Sequence, residues 1–431
     1  MGNTGRAIDR PEEYIVNVTP QWLPAWDDDE GARRATTLFR GRFGTEPDGV
    51  WSAPGRVNLI GEHTDYNGGL CLPINLPHRT YVALRRTGDG TGAGPSDAVV
   101  RLTSAQEADA ELWSRPLADV GPGTVDGWPA YAAGVAWSLA ADGHDVGGFD
   151  AAVDSCVPYG AGLSSSAALE CAVAVALDEV FTLGLGGDDA GRARLAAACI
   201  RAENEIAGAP TGGMDQSSSL RARAGHALLL DTRDHTTRHV PFVLAPHGLA
   251  LLVVDTRASH QLADGQYAAR RTACEDAAAQ LGVATLREID PAGLDDALAR
   301  LADGALPADV VRRRVRHVVT EIARVTELVG LLESGRIRDA GPVLDASHAS
   351  LRDDYEVSSG ELDLVVDSAR AAGALGARMT GGGFGGSAIA LVEVDQVDAV
   401  AGAVAEAFGL QRLTAPAFLV ALASAPAGRT R

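Results

Sequence analysis

Residues 157–168, VPYGAGLSSSAA, restrict the architecture more than any other stretch of the chain. Residues 149–157 before them read as a strand, and the small-residue run from about 166 to 181 reads as a helix. Gly160 and Gly162 allow a tight turn and a close approach of backbone to ligand. Ser164, Ser165 and Ser166 stand where a helix N-cap belongs, ahead of N–H groups that have no intrahelical partner. Free amides at the positive end of a helix dipole make an anion site. An ordinary serine-capped turn has the same local pattern, since short Gly/Ser strings recur by chance.

Composition narrows how such a site could work. All 37 basic residues of the 431 are arginine. With no lysine, a Walker-A loop, a protein-kinase strand lysine and Schiff-base chemistry are all excluded. Phosphate would have to be held by amides, helix termini, arginine or metal. The formal charge of −20 argues against nucleic acid or an anionic membrane as partner. There is no apolar run long enough to span a bilayer, and no secretory leader pattern. Cys71, Cys156, Cys171, Cys199 and Cys274 form no C-x-x-C pair, and their odd number suits a reducing compartment. These features predict a cytoplasmic protein of two packed domains.

Residues 1–20 read as a polar, poorly ordered end, and 87–97 (TGDGTGAGPSD) as a surface loop. Helices are expected over 32–43, 189–206, 265–280, 308–333 and 360–372. Strands are expected over 50–60, 228–231, 249–255, 375–380 and 387–394. Strands mixed with helices, without a regular βαβ rhythm, predict an α+β fold. The division is placed between 20–230 and 231–431.

Two further constellations carry chemistry. Residues 53–67, APGRVNLIGEHTDYN, gather Arg56, Glu62, His63, Asp65 and Tyr66 within eleven positions. Carboxylates beside a histidine on a rigid loop suit a polyol, although a solvated charged turn has the same composition. A metal site at Glu62–Asp65 lacks further ligands at a familiar spacing. In residues 209–216, APTGGMDQ, Gly212 and Gly213 place Asp215 on a tight loop. There it could orient or accept the proton of an attacking hydroxyl, or merely make an Asx turn.

Residues 157–168 resemble the phosphate motif of the kinase superfamily that includes galactokinases, homoserine kinases and mevalonate kinases, which needs no Walker lysine. GEHTDYN, preceded by GRVNLI, resembles the more specific galactokinase signature. APTGGMDQ, QYAARRTACE (residues 266–275) and MTGGGFGGS (residues 379–387) continue the likeness in family order, from about residue 50 to 392. Ser387 stands where that family often has cysteine. The resemblance implies a two-domain fold with the active site in the cleft between domains. It also implies phosphorylation of galactose at its anomeric hydroxyl by Mg²⁺·ATP, giving galactose 1-phosphate.

By the same resemblance, Asp215 and Arg56 act at the reacting hydroxyl. Glu62, His63, Asp65, Gly212 and Tyr267 contact sugar. ATP is held by Pro158, Gly160, Gly162, Leu163, Ser164, Ser165, Ser166 and Ala167, and Mg²⁺ by Ser165 and Glu203. The expected partners are the small molecules galactose and ATP, with a monomer as the expected state. A kinase for a related sugar (N-acetylgalactosamine or L-arabinose) would share most motifs. A galactose sensor is disfavoured by the intact 166–168 Ser-Ala-Ala stretch and Asp215. A dinucleotide-binding dehydrogenase is disfavoured because GAGLSS lacks the third glycine.

Overall fold

The computed structural model describes residues 19–87, 98–107, 112–258 and 265–431. The amino-terminal tail through residue 18 and nearly all of the predicted 87–97 loop lie outside the described residues. The fold is α+β. A six-stranded sheet runs in the order Gly428–Arg429, Gly49–Asn58, Pro73–Arg86, Phe149–Ser155, Val99–Ser104, Trp113–Pro116. Its neighbours are antiparallel except for the parallel pair Phe149–Ser155 with Val99–Ser104. Helices Pro129–Ala141, Ser165–Val180 and Asp189–Arg201 build one core with it. Helix Asp28–Phe43 packs around Tyr81 and Ala152 in a separate cluster.

A five-stranded sheet runs in the order Gln21–Trp22, Ala417–Ala421, Leu249–Asp255, Ser387–Glu393, Gly376–Thr380. Strand Leu249–Asp255 is buried at all seven positions. Period-two alternation explains why. Ala250, Leu252 and Val254 enter the core built with helices Gln266–Leu281, Ala308–Glu333, Gly360–Ala371 and Val397–Leu410. Leu249, Leu251 and Val253 enter another core, shared with Val57 and Leu163 of the first half. A small sheet joins Leu70–Cys71 to His226–Asp231 and Thr236–Pro241. The division proposed near residue 231 falls at the end of one of these strands. Both chain ends cross it: Gln21–Trp22 pairs with Ala417–Ala421, and Gly428–Arg429 pairs with Gly49–Asn58.

One irregularity positions the site. The register of strand Gly49–Asn58 slips between Pro54 and Arg56, a bulge. A Cβ on Gly55 would lie 2.6 Å from the carbonyl oxygen of Leu163, so glycine lets the serine loop lie against the strand. The Arg56 amide donates to that same carbonyl (3.1 Å).

Several expectations need correction. The helix expected over 189–206 ends at Arg201 and continues as a π-helical turn, Ala202–Ala207, which carries Glu203. Such wide turns recur at functional sites. Asp215 is not on an irregular loop: it lies in the first turn of helix Met214–Arg221, after Gly213 at φ 89°. Helices Pro129–Ala141, Gly341–Asp353 and Val397–Leu410 escape sequence reading. The first is buried at nine of thirteen positions, so it shows no clear apolar stripe.

Candidate active site

Arg56 leaves the bulged strand and grips Asp215 with two parallel bonds, Nε–Oδ1 2.8 Å and Nη2–Oδ2 2.9 Å. Its Nη1 donates to the carbonyl of Gly162 (2.6 Å). One guanidinium therefore joins the sugar-signature strand, the serine loop and the helix that bears Asp215. Planar bidentate pairing suits arginine and fixes orientation as well as energy. Burial alone would lower the Arg56 pKa, but Asp215 and Glu62 outweigh it and the guanidinium stays charged. The Ser164 hydroxyl also donates to Asp215 Oδ2. Ser164 has φ 61° and ψ 47°, the left-handed region that non-glycine residues seldom adopt. The strain turns its hydroxyl away from capping the helix and toward Asp215.

Around this pair lies a cavity of about 160 Å³, lined by Arg56, Glu62, His63, Asp65, Glu203, Asp215 and Tyr267. Gly61, Pro210, Thr211, Met214, Gly381 and Gly382 complete the wall. All of the sugar-contact candidates except Gly212 thus reach one cavity. Gly212 lies directly behind it, since a Cβ there would stand 2.2 Å from Asp65 Oδ2.

Each acidic group has its own environment. Glu62 is buried; its Oε1 accepts from the Gly381 amide (2.8 Å) and its Oε2 from Asn58 Nδ2 (2.9 Å). Burial pushes its carboxyl up, while Arg378 and Arg56 pull it back. Arg378 is wholly buried, with Nη2 3.5 Å from Glu62 Oε1 and 4.0 Å from Glu321 Oε1. Burial would raise Glu321, but Arg378 foremost holds it at about 2. Removing Arg378 would leave two buried carboxylates short of a cation, a loss on the order of 3–5 kcal/mol. Asp65 is pushed up to about 6, first by burial and then by the charge of Asp215.

His63 is held down to about 3, first by burial and then by His317, so its ring is neutral. Nε2 stands 3.1 Å from the carbonyl of Gly382, which can only accept, so that nitrogen carries the hydrogen. Nδ1 then accepts from the Tyr66 hydroxyl (2.8 Å). Both nitrogens are engaged within the protein, and the ring packs 5.4 Å from Tyr267 and 4.8 Å from Tyr355.

On the phosphate side, helix Ser165–Val180 begins without a side-chain cap. Leu163 and Ala167 have apolar side chains and are buried, so only their backbone groups could bond a ligand. Pro158 and Gly160 border a separate groove of about 770 Å³ with Trp26, Tyr159 and Arg257. Of the two serines Ser165 and Ser166, it is Ser166 that lies near enough to Glu203 to favour its ionised form. Glu203 is pushed up to about 7, by burial first and then by Asp215. The third glycine loop packs here as expected: the Ser387 hydroxyl donates to the carbonyl of Ala161 (2.7 Å). A Cβ on Gly381 would meet the Gly162 carbonyl oxygen at 3.0 Å.

Sequence reasoning missed Gln216, Glu170 and Arg378 as part of the site. Gln216 follows Asp215 directly and Arg378 precedes the third glycine loop, so adjacency to a motif was the available signal. Glu170 offered a lone acid among apolar helix positions.

Comparison with known proteins shows the family and the fold. A galactokinase galactose-binding signature matches residues 37–86, a GHMP kinase N-terminal domain residues 130–223, and a GHMP kinase C-terminal domain residues 328–410. The chain is 53% identical to a galactokinase of Streptomyces coelicolor over 391 residues, covering 91% of this chain and 96% of that one. It is 42% identical to human galactokinase, covering 84% and 87%. The crystal structure of Lactococcus lactis galactokinase complexed with galactose superposes with a TM-score of 0.83 at 31% identity, covering 91% and 98%. A Methanococcus jannaschii mevalonate kinase, at 16% identity and TM-score 0.59, shares the fold.

Proposed function

The chain belongs to the galactokinase family of GHMP kinases, and on that premise we propose that it moves the γ-phosphoryl group of ATP onto the anomeric hydroxyl of D-galactose, with Asp215 and Arg56 at the reacting oxygen. The observation that carries the assignment of roles is the bidentate Arg56–Asp215 pair on the wall of a cavity that Glu62, His63, Asp65 and Tyr267 also line. Asp65 and Glu62 offer acceptors to sugar hydroxyls, His63 and Tyr267 present ring surface, and Gly212 leaves room for the Asp65 carboxylate. Asp215 orients or accepts the hydroxyl proton. The hydroxyl oxygen attacks the γ-phosphorus, the bond from that phosphorus to the β–γ bridging oxygen breaks, and ADP leaves. Arg56 holds Asp215 in line and places positive charge beside the transferring group. Reactions of this type depend mainly on positioning and electrostatic stabilisation.

The uncapped start of helix Ser165–Val180, with the amides of residues 159–167, forms the proposed phosphate cradle. Magnesium fits the donors present. Glu203 and Ser166 are adjoining hard oxygen groups, and Mg²⁺ commonly takes only one or two protein ligands beside substrate phosphates. When bound, the ion would neutralise phosphate charge. Serine 166 replaces Ser165 in this proposal because it is Ser166 that faces Glu203.

The test is ADP release from Mg·ATP with a panel of free sugars. Turnover with galactose far above glucose, N-acetylgalactosamine and L-arabinose is expected. A preference for another sugar would redraw the roles of Glu62, His63 and Asp65, and galactose binding without turnover would point to a sensor.

A further inference from the structure

One buried acid has no part in the mechanism above. Glu170 lies on helix Ser165–Val180, fully buried between Leu169 and Cys171. A carboxylate in such a setting is costly unless something uses it. Its Oε2 accepts from Gln216 Nε2 at 3.0 Å, and its Oε1 has no partner. The same Gln216 nitrogen donates to Glu203 Oε2 at 2.5 Å, while Gln216 Oε1 is unpartnered. An amide nitrogen has two hydrogens, and here each goes to one carboxylate. In this orientation one amide serves both acids, while burial first and then the charge of Glu203 push the Glu170 carboxyl well up. Gln216 is itself fully buried and follows Asp215 in the chain.

We propose that Glu170 is a positioning residue: through Gln216 it holds Glu203 so that this carboxylate faces Ser166 and the cleft. A single amide thereby ties the helix that starts at the phosphate loop to the π-helical turn bearing Glu203 and to the helix bearing Asp215. The inference rests on the reading of Glu203 as the acid facing the metal, and it adds a residue that never touches substrate. A methionine at 170 would fill the same space without holding Gln216.

The probe is Mn²⁺ with ADP, its affinity for the purified protein measured by electron paramagnetic resonance, beside galactose affinity by calorimetry. E170M and Q216M should each weaken Mn²⁺ binding tenfold or more, and the double variant should be no worse than either alone, because both break one linkage. Galactose affinity should stay within twofold, and E170Q, which keeps the acceptor, should restore Mn²⁺ affinity to within threefold of wild type. E170D, one methylene shorter and best suited to fold, should weaken the metal several-fold. Wild-type Mn²⁺ affinity in a folded E170M, Q216M or E170D protein overturns the proposal, as do additive losses in the double variant. E203Q separates the two levels. If it leaves Mn²⁺ binding unchanged, the reading of Glu203 fails; if it weakens binding and E170M does not, only the linkage fails.

Discussion

The proposed sugar wall and phosphate loop meet at Arg56 and are built in opposite ways. Glu62 and His63 are buried, and their polar atoms are already engaged with Asn58, Gly381, Tyr66 and Gly382. In the phosphate loop, a Cβ on Gly160 would meet nothing within 4 Å, Tyr159 is 88% exposed, and the helix that follows has no side-chain cap. A wall that must tell one hydroxyl pattern from another gains from acceptors whose orientation is set before the ligand arrives. A loop that recognises phosphate needs only backbone N–H groups and favourable charge, both indifferent to side-chain identity. Arg56 is the link between the two regions, holding Asp215 with one edge and Gly162 with another.

The largest effect is expected where the two regions meet. Asp215→Asn should lower kcat by roughly 10²–10⁴-fold, the range for loss of a positioned acid–base group. Galactose affinity by calorimetry should change little, because the sugar wall is left intact. Near-normal turnover would show that Asp215 has no part in the reaction.

A smaller break acts on the sugar wall alone. Gly212→Ala puts a methyl group 2.2 Å from Asp65 Oδ2, so the carboxylate must move. A displacement of about 1 Å in a positioning group can cost on the order of 10²-fold. The expected outcome is a tenfold or greater rise in galactose KM with ATP KM unchanged. An equal rise in both would mean that the two regions are less separable than the contacts indicate.

The gentlest test is pH. Asp65 has its folded pKa raised to about 6 from an ordinary 3.8. Between those values the folded protein keeps a proton that the unfolded chain has released, so this group's contribution to stability falls as pH rises through the window. Urea midpoints should show that decline between about pH 4 and 6, and Asp65→Asn should flatten it. Galactose affinity should weaken below pH 6, as the acceptor becomes protonated. A wild-type pH profile in Asp65→Asn would place the titration elsewhere.

Much of the site was legible because it is local. The glycines of the serine loop, the acidic cluster ending at Tyr66 and the apolar run at 249–255 each express a backbone or burial requirement within a few residues. Other features were closed to sequence reading. Ser165 and Ser166 differ by about 100° around the helix axis, and the left-handed turn at Ser164 sets which one faces Glu203. Asp215 looked loop-borne because two glycines precede it, yet Gly213 is the residue that starts the helix.

From the sequence alone came the Gly/Ser loop between a strand and a helix, the exclusion of lysine chemistry and the family resemblance, all properties of residue type and short-range order. Tertiary structure alone decided that Arg56 meets Asp215 across 159 positions, that Arg378 lies between Glu62 and Glu321, and that Gln216 joins Glu170 to Glu203. A buried charge or amide finds its partner only when distant segments pack together, because the cost of leaving it unpaired is set by the finished interior and not by its neighbours in the chain.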